Sequence, residues 1–439
     1  MSIRVVGRKL GWIMVVALLG ANLMMGARLY SKEVGDPDRE DVYGQMALFT
    51  RVLEQVRKNY VDAEKTAYTN LIKGALQGML QSLDPHSQYL DVEMYKDMKD
   101  DTAGQFGGLG IVISIKDNVL TIVAPMEDTP GFRAGLLAGD KIMEIDGEST
   151  EGYSMQEAVK KLRGPPGTKV SLRILRTKTQ EFNEVEVERA IIEVASVKGT
   201  RVLEDDIGYL RITQFSEPTA DALQNELEFL AEKNVKALVL DLRNNPGGLL
   251  NSAVEVAGKF LDRNQVVVST QGREEKDNQV FKSRSRKRFP DIPLAILVNA
   301  GSASASEIVA GALKDHRRAV LIGEKTFGKG SVQSVLSMDE GTAIRLTTAK
   351  YYTPSMEVIH ERGIEPDIVV AVPPEEWRTL QVQRMNQENG AEPGAEEEGE
   401  GPAAPVEDIQ LQRAVEVLKG ILRFAGQTEA GVLTAHAAR

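Results

Sequence analysis

Between about residues 191 and 375 the chain repeats one pattern: a short apolar run too continuous to alternate with polar residues, then an amphipathic helix. GYLRITQF (208–215) leads to ALQNELEFLAEK (222–233), KALVLDLR (236–243) to LLNSAVEVAGKFL (249–261), and LAILVNA (294–300) to ASEIVAGALK (305–314). The runs AVLIG (319–323), SVQSVL and TAIRLTTAKYY follow. Runs of this kind are strands buried on both faces, which requires a sheet covered by helices, so the pattern predicts an α/β core.

The flanks read differently. Residues 31–98 have helical spacing in LFTRVLEQVRKNYV (48–61) and LIKGALQGMLQSL (71–83), and Asp84-Pro85 stops the second helix. From about 104 the texture is short strands and glycine turns (GLGIVISI, NVLTIVAPM, KIMEIDG, VSLRIL, EVEVERAII), with helical stretches at PGFRAG (130–135) and SMQEAVKKLRG (154–164). This predicts a compact α+β module. Residues 387–406 (QENGAEPGAEEEGEGPAAPV) are acidic and Pro/Gly-rich and read as a linker. The helix EDIQLQRAVEVLKGIL (407–422) carries an apolar stripe that has to pack on something.

Composition narrows the chemistry. The 439 residues contain no cysteine and four histidines, which excludes thiolate nucleophiles, iron–sulfur clusters and Cys-ligated zinc and leaves oxygen or amine nucleophiles. With 53 Lys+Arg against 64 Asp+Glu the net charge is −11, so the long-range field repels nucleic acid. The basic cluster Lys282, Arg284, Arg286, Lys287 and Arg288 reads as a solvated loop in such a chain. Arg4, Arg8 and Lys9 precede the apolar run Leu10–Gly26, the pattern of an export signal; cleaved signal and retained anchor are both open.

Candidate chemistry lies in three segments. In Asn299-Ala-Gly-Ser302-Ala-Ser304-Ala-Ser306-Glu307, small side chains admit a substrate backbone, and a hydroxyl at a helix start lies beside free N–H groups. That suits a serine nucleophile with the Ala305 N–H as oxyanion donor. The same Ser304-Ala-Ser-Glu307 fits a capping box that needs no catalysis. No histidine comes with a G-x-S-x-G elbow. The base candidate is therefore Lys329 in Thr326-Phe-Gly-Lys329-Gly-Ser-Val-Gln333, held neutral by desolvation. A rival reads Gly323–Gly330 as a phosphate-binding loop, although the following SVQSVL looks like a strand rather than the helix such a loop opens. Asp241-Leu-Arg-Asn-Asn-Pro-Gly247-Gly248 is a turn at the carboxyl end of a buried strand, where open α/β sheets place ligands, and its glycines offer a second oxyanion donor. In the α+β module, the glycine-rich N–H groups of Phe106-Gly-Gly-Leu-Gly110 can form a nest for a carboxylate, with the next strand edge pairing to an extended peptide, although a lone G-L-G is a weak signal.

Together these segments resemble the carboxyl-terminal processing (tail-specific) proteases, exported serine peptidases with an inserted PDZ domain, over roughly Leu48 to Val370. The resemblance is carried by SLDPHSQYL (82–90), FGGLGIVI (106–113), AGLLAGDKIMEIDGE (134–148), LRGPPGTKVSLRI (162–174), DLRNNPGG (241–248), VNAGSASASEI (298–308), GEKTFGKGSVQ (323–333) and GIEPDI (363–368). It implies an α/β fold: a helix-covered, crotonase/ClpP-like protease core with an inserted α+β PDZ domain and flanking terminal helices. The expected divisions are a signal or anchor (1–30), a helical region (31–98), the PDZ domain (99–190), the protease core (191–378), an acidic linker (379–406) and a C-terminal helix and tail (407–439). By motif, the resemblance implies Ser304 as nucleophile, Lys329 as general base, Gln333 as the residue orienting it, and Gly247, Gly248 and Ala305 as the oxyanion hole. It implies further that Gly108, Leu109, Gly110 and Ile111 bind a substrate's free C-terminus and that Arg163 couples the PDZ domain to the active site. No metal or cofactor is implied. The implied partners are proteins or peptides with free C-termini and an adaptor protein. Helices 48–61 and 407–422 are candidates for homo-oligomer assembly or for packing within the chain. The implied location is periplasmic or otherwise extracytoplasmic. Family members often carry glycine where this chain has Met356. The alternative function is a catalytically silent PDZ adaptor that binds protein C-termini.

Overall fold

A computed structural model describes residues 42–116, 118–126, 128–177, 179–284, 289, 291–388 and 406–437. The signal or anchor segment, linker residues 389–405 and Arg286, Lys287 and Arg288 of the basic cluster lie outside the described residues. The chain divides into two compact units, residues 1–79 and 80–439. In the first, helix α1 (Val42–Asn59) is followed by a 3₁₀ turn and the start of α2 (Tyr68–Gln81). The Arg57 guanidinium lies 3.7 Å from the Tyr68 ring centroid, and the Tyr68 hydroxyl donates to Glu54 at 2.6 Å.

The second unit opens with β1 (Gln88–Leu90) and α3 (Val92–Ala103), the latter capped by the Asp91 side chain accepting from the Met94 N–H and closed by Gly104 at φ 69°. The α+β module then runs through β2 (Gln105–Gly108), β3 (Ile111–Lys116), β4 (Val119–Pro125), the single turn α4 (Pro130–Arg133), β5 (Lys141–Ile145), β6 (Glu148–Ser149), α5 (Met155–Leu162), β7 (Lys169–Arg176), β8 (Glu181–Glu188) and β9 (Ala190–Glu193). Strands β3-β4-β5-β7-β8 form one antiparallel sheet, whereas β2 and β9 pair separately and bracket the module. Its core is Leu109, Leu120, Ile122, Ile142, Ile145, Leu162, Leu172 and Ile174 with their neighbours.

The core domain comprises β10 (Val197–Val202), β11 (Ile207–Ile212), α6 (Thr219–Glu232), β12 (Ala237–Asp241), α7 (Leu250–Gly258), β13 (Val266–Gly272), β14 (Gln279–Lys282), β15 (Leu294–Val298), α8 (Ala305–Asp315), β16 (Val320–Gly323), β17 (Ser331–Ser337), β18 (Ala343–Tyr352), β19 (Ile368–Val369), α9 (Pro374–Glu388) and α10 (Ile409–Ala437). Its main sheet has the order β10-β11-β12-β15-β16-β19, with β11 to β19 parallel. The period of two divides the strand residues between two cores. Leu210, Leu238, Leu240, Ile296, Val298 and Leu321 face a cluster shared with α6, α7 and α8. Tyr209, Val239, Ala295, Leu297 and Ile322 pack with Ala414 and Leu418 of α10. The apolar stripe of the C-terminal helix thus covers its own sheet. A second sheet, β1-β18-β13-β14 with β17 on β18, carries the hairpin that follows the lysine loop. Because Gly323–Gly330 runs into strand β17, it does not open a helix, and the phosphate-loop rival falls.

Candidate active site

Strands β12, β15 and β16 are adjacent and parallel, so the loops leaving their carboxyl ends lie side by side. These loops hold the glycine turn, the serine segment and the lysine loop. The first two are stitched together by asparagines. Asn299 Oδ1 accepts the Asn244 and Gly301 N–H groups at 2.9 and 3.0 Å, and Asn299 Nδ2 donates to Asn244 Oδ1 at 2.9 Å. The Asn245 carbonyl accepts the Ala303 N–H at 3.0 Å and the Ser306 hydroxyl at 2.8 Å.

Ser304 stands at the start of α8, 9% exposed, with φ 55° and ψ −111°. A positive φ is costly for a residue with a Cβ and persists only where the surroundings enforce it. Here the enforcement is Glu307. Its side chain is fully buried, and its carboxylate accepts the Ser304 N–H at 2.8 Å, the Lys329 N–H at 2.9 Å, the Gly328 N–H at 2.7 Å and the Thr326 hydroxyl at 2.5 Å. Burial pushes the Glu307 carboxyl above its ordinary range, and these hydrogen bonds offset part of the rise. One carboxylate therefore ties the serine segment to the lysine loop. The expected capping box supplied this residue, but its spacing carries no sign that the acid reaches a loop 22 positions on.

Lys329 is half-buried, and burial, with the Arg345 charge adding to it, holds its amine below the usual lysine range. His86 feels the Lys329 charge as well: burial first, then Lys329, lowers its pKa, while Asp84 opposes them. Gln333, on β17, donates from Nε2 to Thr347 Oγ1 at 2.9 Å and to Ser331 Oγ at 3.2 Å. Its Oε1 is buried without a hydrogen-bond partner among the described residues.

Gly247 abuts the serine: a Cβ there would lie 2.8 Å from Ser304 Cβ and 2.9 Å from the Ala305 nitrogen, and its φ is 101°. Its N–H donates to Asn245 Oδ1 at 2.9 Å. Among the described residues, the N–H groups of Gly248 and Ala305 have no hydrogen-bond partner.

In the α+β module, Gly108, Leu109, Gly110 and Ile111 line one groove of about 120 Å³ together with Ile113 and Leu162. Gly110, at φ 70°, has no room for a Cβ, which would lie 2.3 Å from the Thr129 side chain. The Leu109 and Gly110 carbonyls accept the Gly131 and Met126 N–H groups at 2.7 and 2.8 Å, and their own N–H groups are without partners among the described residues. Consecutive free N–H groups of this kind can form an anion nest. Arg163, at the end of α5, borders this groove with its guanidinium 4.3 Å from the Phe106 ring centroid and 3.8 Å from the Asp101 carboxylate of α3.

Comparison with known proteins agrees with this anatomy. Residues 206–370 match the model of peptidase family S41, and residues 121–176 match a PDZ domain. The chain is 42% identical to the carboxy-terminal-processing protease of Bartonella bacilliformis, with 95% of this chain and 97% of that protein covered. It is 33% identical to the carboxy-terminal processing protease CtpA of Bacillus subtilis, covering 82% of this chain and 76% of that one. A solved structure assigned to the S41 proteases, from Bacteroides fragilis, shares the fold with a TM-score of 0.50 at 17% identity over 84% of this chain and 97% of the other. The chain belongs to the carboxy-terminal processing proteases, serine-type peptidases of family S41 that carry a PDZ domain.

Proposed function

We propose that the chain is an exported endopeptidase that takes up substrates by their C-termini and cleaves them with a Ser304–Lys329 pair. The observation that carries the reading is the Glu307 carboxylate, which holds the backbone of both residues at once beside a lysine whose charge is disfavoured. In the mechanism, neutral Lys329 removes the Ser304 hydroxyl proton as the oxygen attacks the scissile carbonyl. The N–H groups of Ala305 and Gly248 receive the oxyanion, each such donor being worth roughly 10²–10³ in rate. The lysine then gives its proton to the departing amine, and a water activated by the same amine releases the acyl group. Gln333 orients the lysine, the groove at Gly108–Ile111 holds the substrate's terminal carboxylate, and Arg163 links that groove to the catalytic unit.

Residues 1–30 are read as directing export to an extracytoplasmic site. The exposed Met46, Phe49 and Val52 of α1 are read as a surface for assembly of copies, the C-terminal helix being occupied by its own sheet. An adaptor protein is a further partner compatible with this reading.

Purified Ser304→Ala and Lys329→Ala proteins, incubated with denatured casein, are expected to be inactive with melting temperatures close to that of wild type. Turnover by either variant removes the dyad. Inactive wild type would favour the silent adaptor instead.

A further inference from the structure

The glycine turn holds two adjacent N–H groups, and one buried side chain distinguishes them. Asn245 is fully buried among three segments. Its Nδ2 donates at 2.9 Å to the carbonyl of Ile212, the last residue of β11, and its Oδ1 accepts the Gly247 N–H at 2.9 Å. Its main-chain carbonyl accepts the Ala303 N–H at 3.0 Å and the Ser306 hydroxyl at 2.8 Å, one on each side of Ser304 and Ala305. These neighbours leave the amide a single orientation. A carbonyl only accepts and an N–H only donates, so the NH₂ group faces Ile212 and the oxygen faces Gly247.

The next peptide is fixed by Phe215. The Gly247 carbonyl accepts the Phe215 N–H at 2.9 Å, and the Phe215 carbonyl accepts the Leu249 N–H at 2.7 Å, a short parallel bridge. A Cβ on Gly248 would lie 2.1 Å from the Phe215 oxygen, so only glycine fits there. In a trans peptide the C=O and the N–H that follows it point in opposite directions. With the Gly247 carbonyl committed to Phe215, the Gly248 N–H faces away from Phe215 and has no partner among the described residues. Gly247 is buried and lies against Ser304, whereas Gly248 is exposed.

We propose that Asn245 is the positioning residue of the oxyanion hole: its side chain takes up the Gly247 N–H, leaving that of Gly248 to the substrate, and its main chain holds the serine segment that presents the Ala305 N–H. The inference rests on Ser304 being the nucleophile with Gly248 and Ala305 as oxyanion donors. Both donors then lie in segments tied to one residue, so their spacing is set before substrate arrives. Donors preorganised in this way cost no reorganisation when the tetrahedral oxygen forms. Without the Asn245 acceptor, the buried Gly247 N–H is left unsatisfied, and the free backbone of a glycine pair lets the turn rotate to relieve it. The loss falls on the transition state, because the hole is built for the oxyanion.

The test uses the full-length protein with a peptide substrate and a peptide aldehyde, whose adduct with a serine hydroxyl carries a tetrahedral oxygen where the oxyanion would form. In wild type isotopically labelled at glycine, hydrogen exchange of the Gly247 N–H should be slow with or without the aldehyde, and that of Gly248 should become slow only when the aldehyde is added. Asn245→Leu, close in shape but without donor or acceptor, should lower kcat about 10–100-fold, the range typical for loss of a group that orients another. KM should stay within about twofold. Inhibition by the aldehyde should weaken by the same factor as kcat, while affinity for a product peptide, which has no tetrahedral oxygen, is unchanged; a loosened fold would weaken both. If Asn245→Leu fails to fold, the exchange measurement on wild type decides alone. Exchange that slows at Gly247, or at neither glycine, or a wild-type kcat in folded Asn245→Leu, overturns the proposal. Ser304→Ala, run alongside, separates the failures. Turnover by that variant removes the nucleophile and the hole with it, whereas an inactive Ser304→Ala beside any of the overturning results leaves the nucleophile standing and rejects only the role of Asn245.

Discussion

Ser304 and Lys329 are both shaped by their surroundings more than by their own chemistry. The serine sits at φ 55°, and the lysine amine is held below its ordinary range by burial and by Arg345. The second cause is open to experiment. Removing the cation with Arg345→Met makes the Lys329 ammonium less unfavourable, so its pKa rises and the acid limb of kcat/KM moves to higher pH. Wild type should retain activity to lower pH than this variant, and coincident profiles would show that Arg345 does not tune the base. Both residues were legible in the sequence, since small residues before a helix and a glycine-flanked lysine are local signals. The second role of Glu307 was not legible, because an S-x-x-E spacing looks the same whether or not the acid also reaches Gly328 and Lys329. Met356 has φ 67°, a backbone region that favours glycine, the residue the family resemblance leads one to expect there.

Helix α3 touches both the PDZ domain and the second sheet of the core. Its Asp101 lies 3.8 Å from Arg163 and its Glu93 pairs with Lys160 at 2.7 Å, both on the PDZ side. On the other side, the Tyr95 and Ser337 hydroxyls are 2.7 Å apart, joining the helix to β17, the strand that carries Gln333. Movement at the proposed tail-binding groove therefore has a physical route to the proposed base. Tyr95→Phe is expected to narrow the preference for substrates with a free over an amidated C-terminus by about fivefold, the lower end of typical coupling between sites. Binding of a free-tailed peptide to the groove should be unchanged in the same titration. An unaltered preference would mean that coupling runs by another path. Strands β11, β12, β15 and β16 were recognisable from apolar runs, but β13 was not singled out despite its buried valines, and β1 and β10 were not recognisable because three- and six-residue segments with half-exposed faces lack a clear period.

At the scale of the whole molecule, the C-terminal segment closes a buried ionic cluster just ahead of the glycine turn. Arg243 pairs with Asp241 at 2.6 Å and with Asp408 at 2.8 Å; Arg384 joins both acids, and the two guanidinium carbons each lie 5.2 Å from the Trp377 ring centroid. Burial pushes the Asp408 carboxyl up, but Arg243 and Arg384 outweigh it and hold it below the usual aspartate range. Asp408→Asn leaves buried guanidinium charge short of a partner and should cost about 3–5 kcal/mol in urea unfolding. Because the folded pKa is depressed, this stabilisation is complete above the unfolded value of about 4 and fades as pH falls through the folded one. The difference between wild type and variant should therefore shrink in acid, and a difference independent of pH would rule out the charge as its source. From the chain alone came the order of strands and helices, the α/β class and the two loops bearing the hydroxyl and the amine, because periodicity and turn chemistry are local. Only the folded arrangement decided that one carboxylate serves both loops, that the turn at Ser87 is fastened to β18 at Thr347, and that the last helix covers its own sheet. Those contacts join residues up to 260 positions apart, and no local pattern records which distant partner a buried polar group will meet.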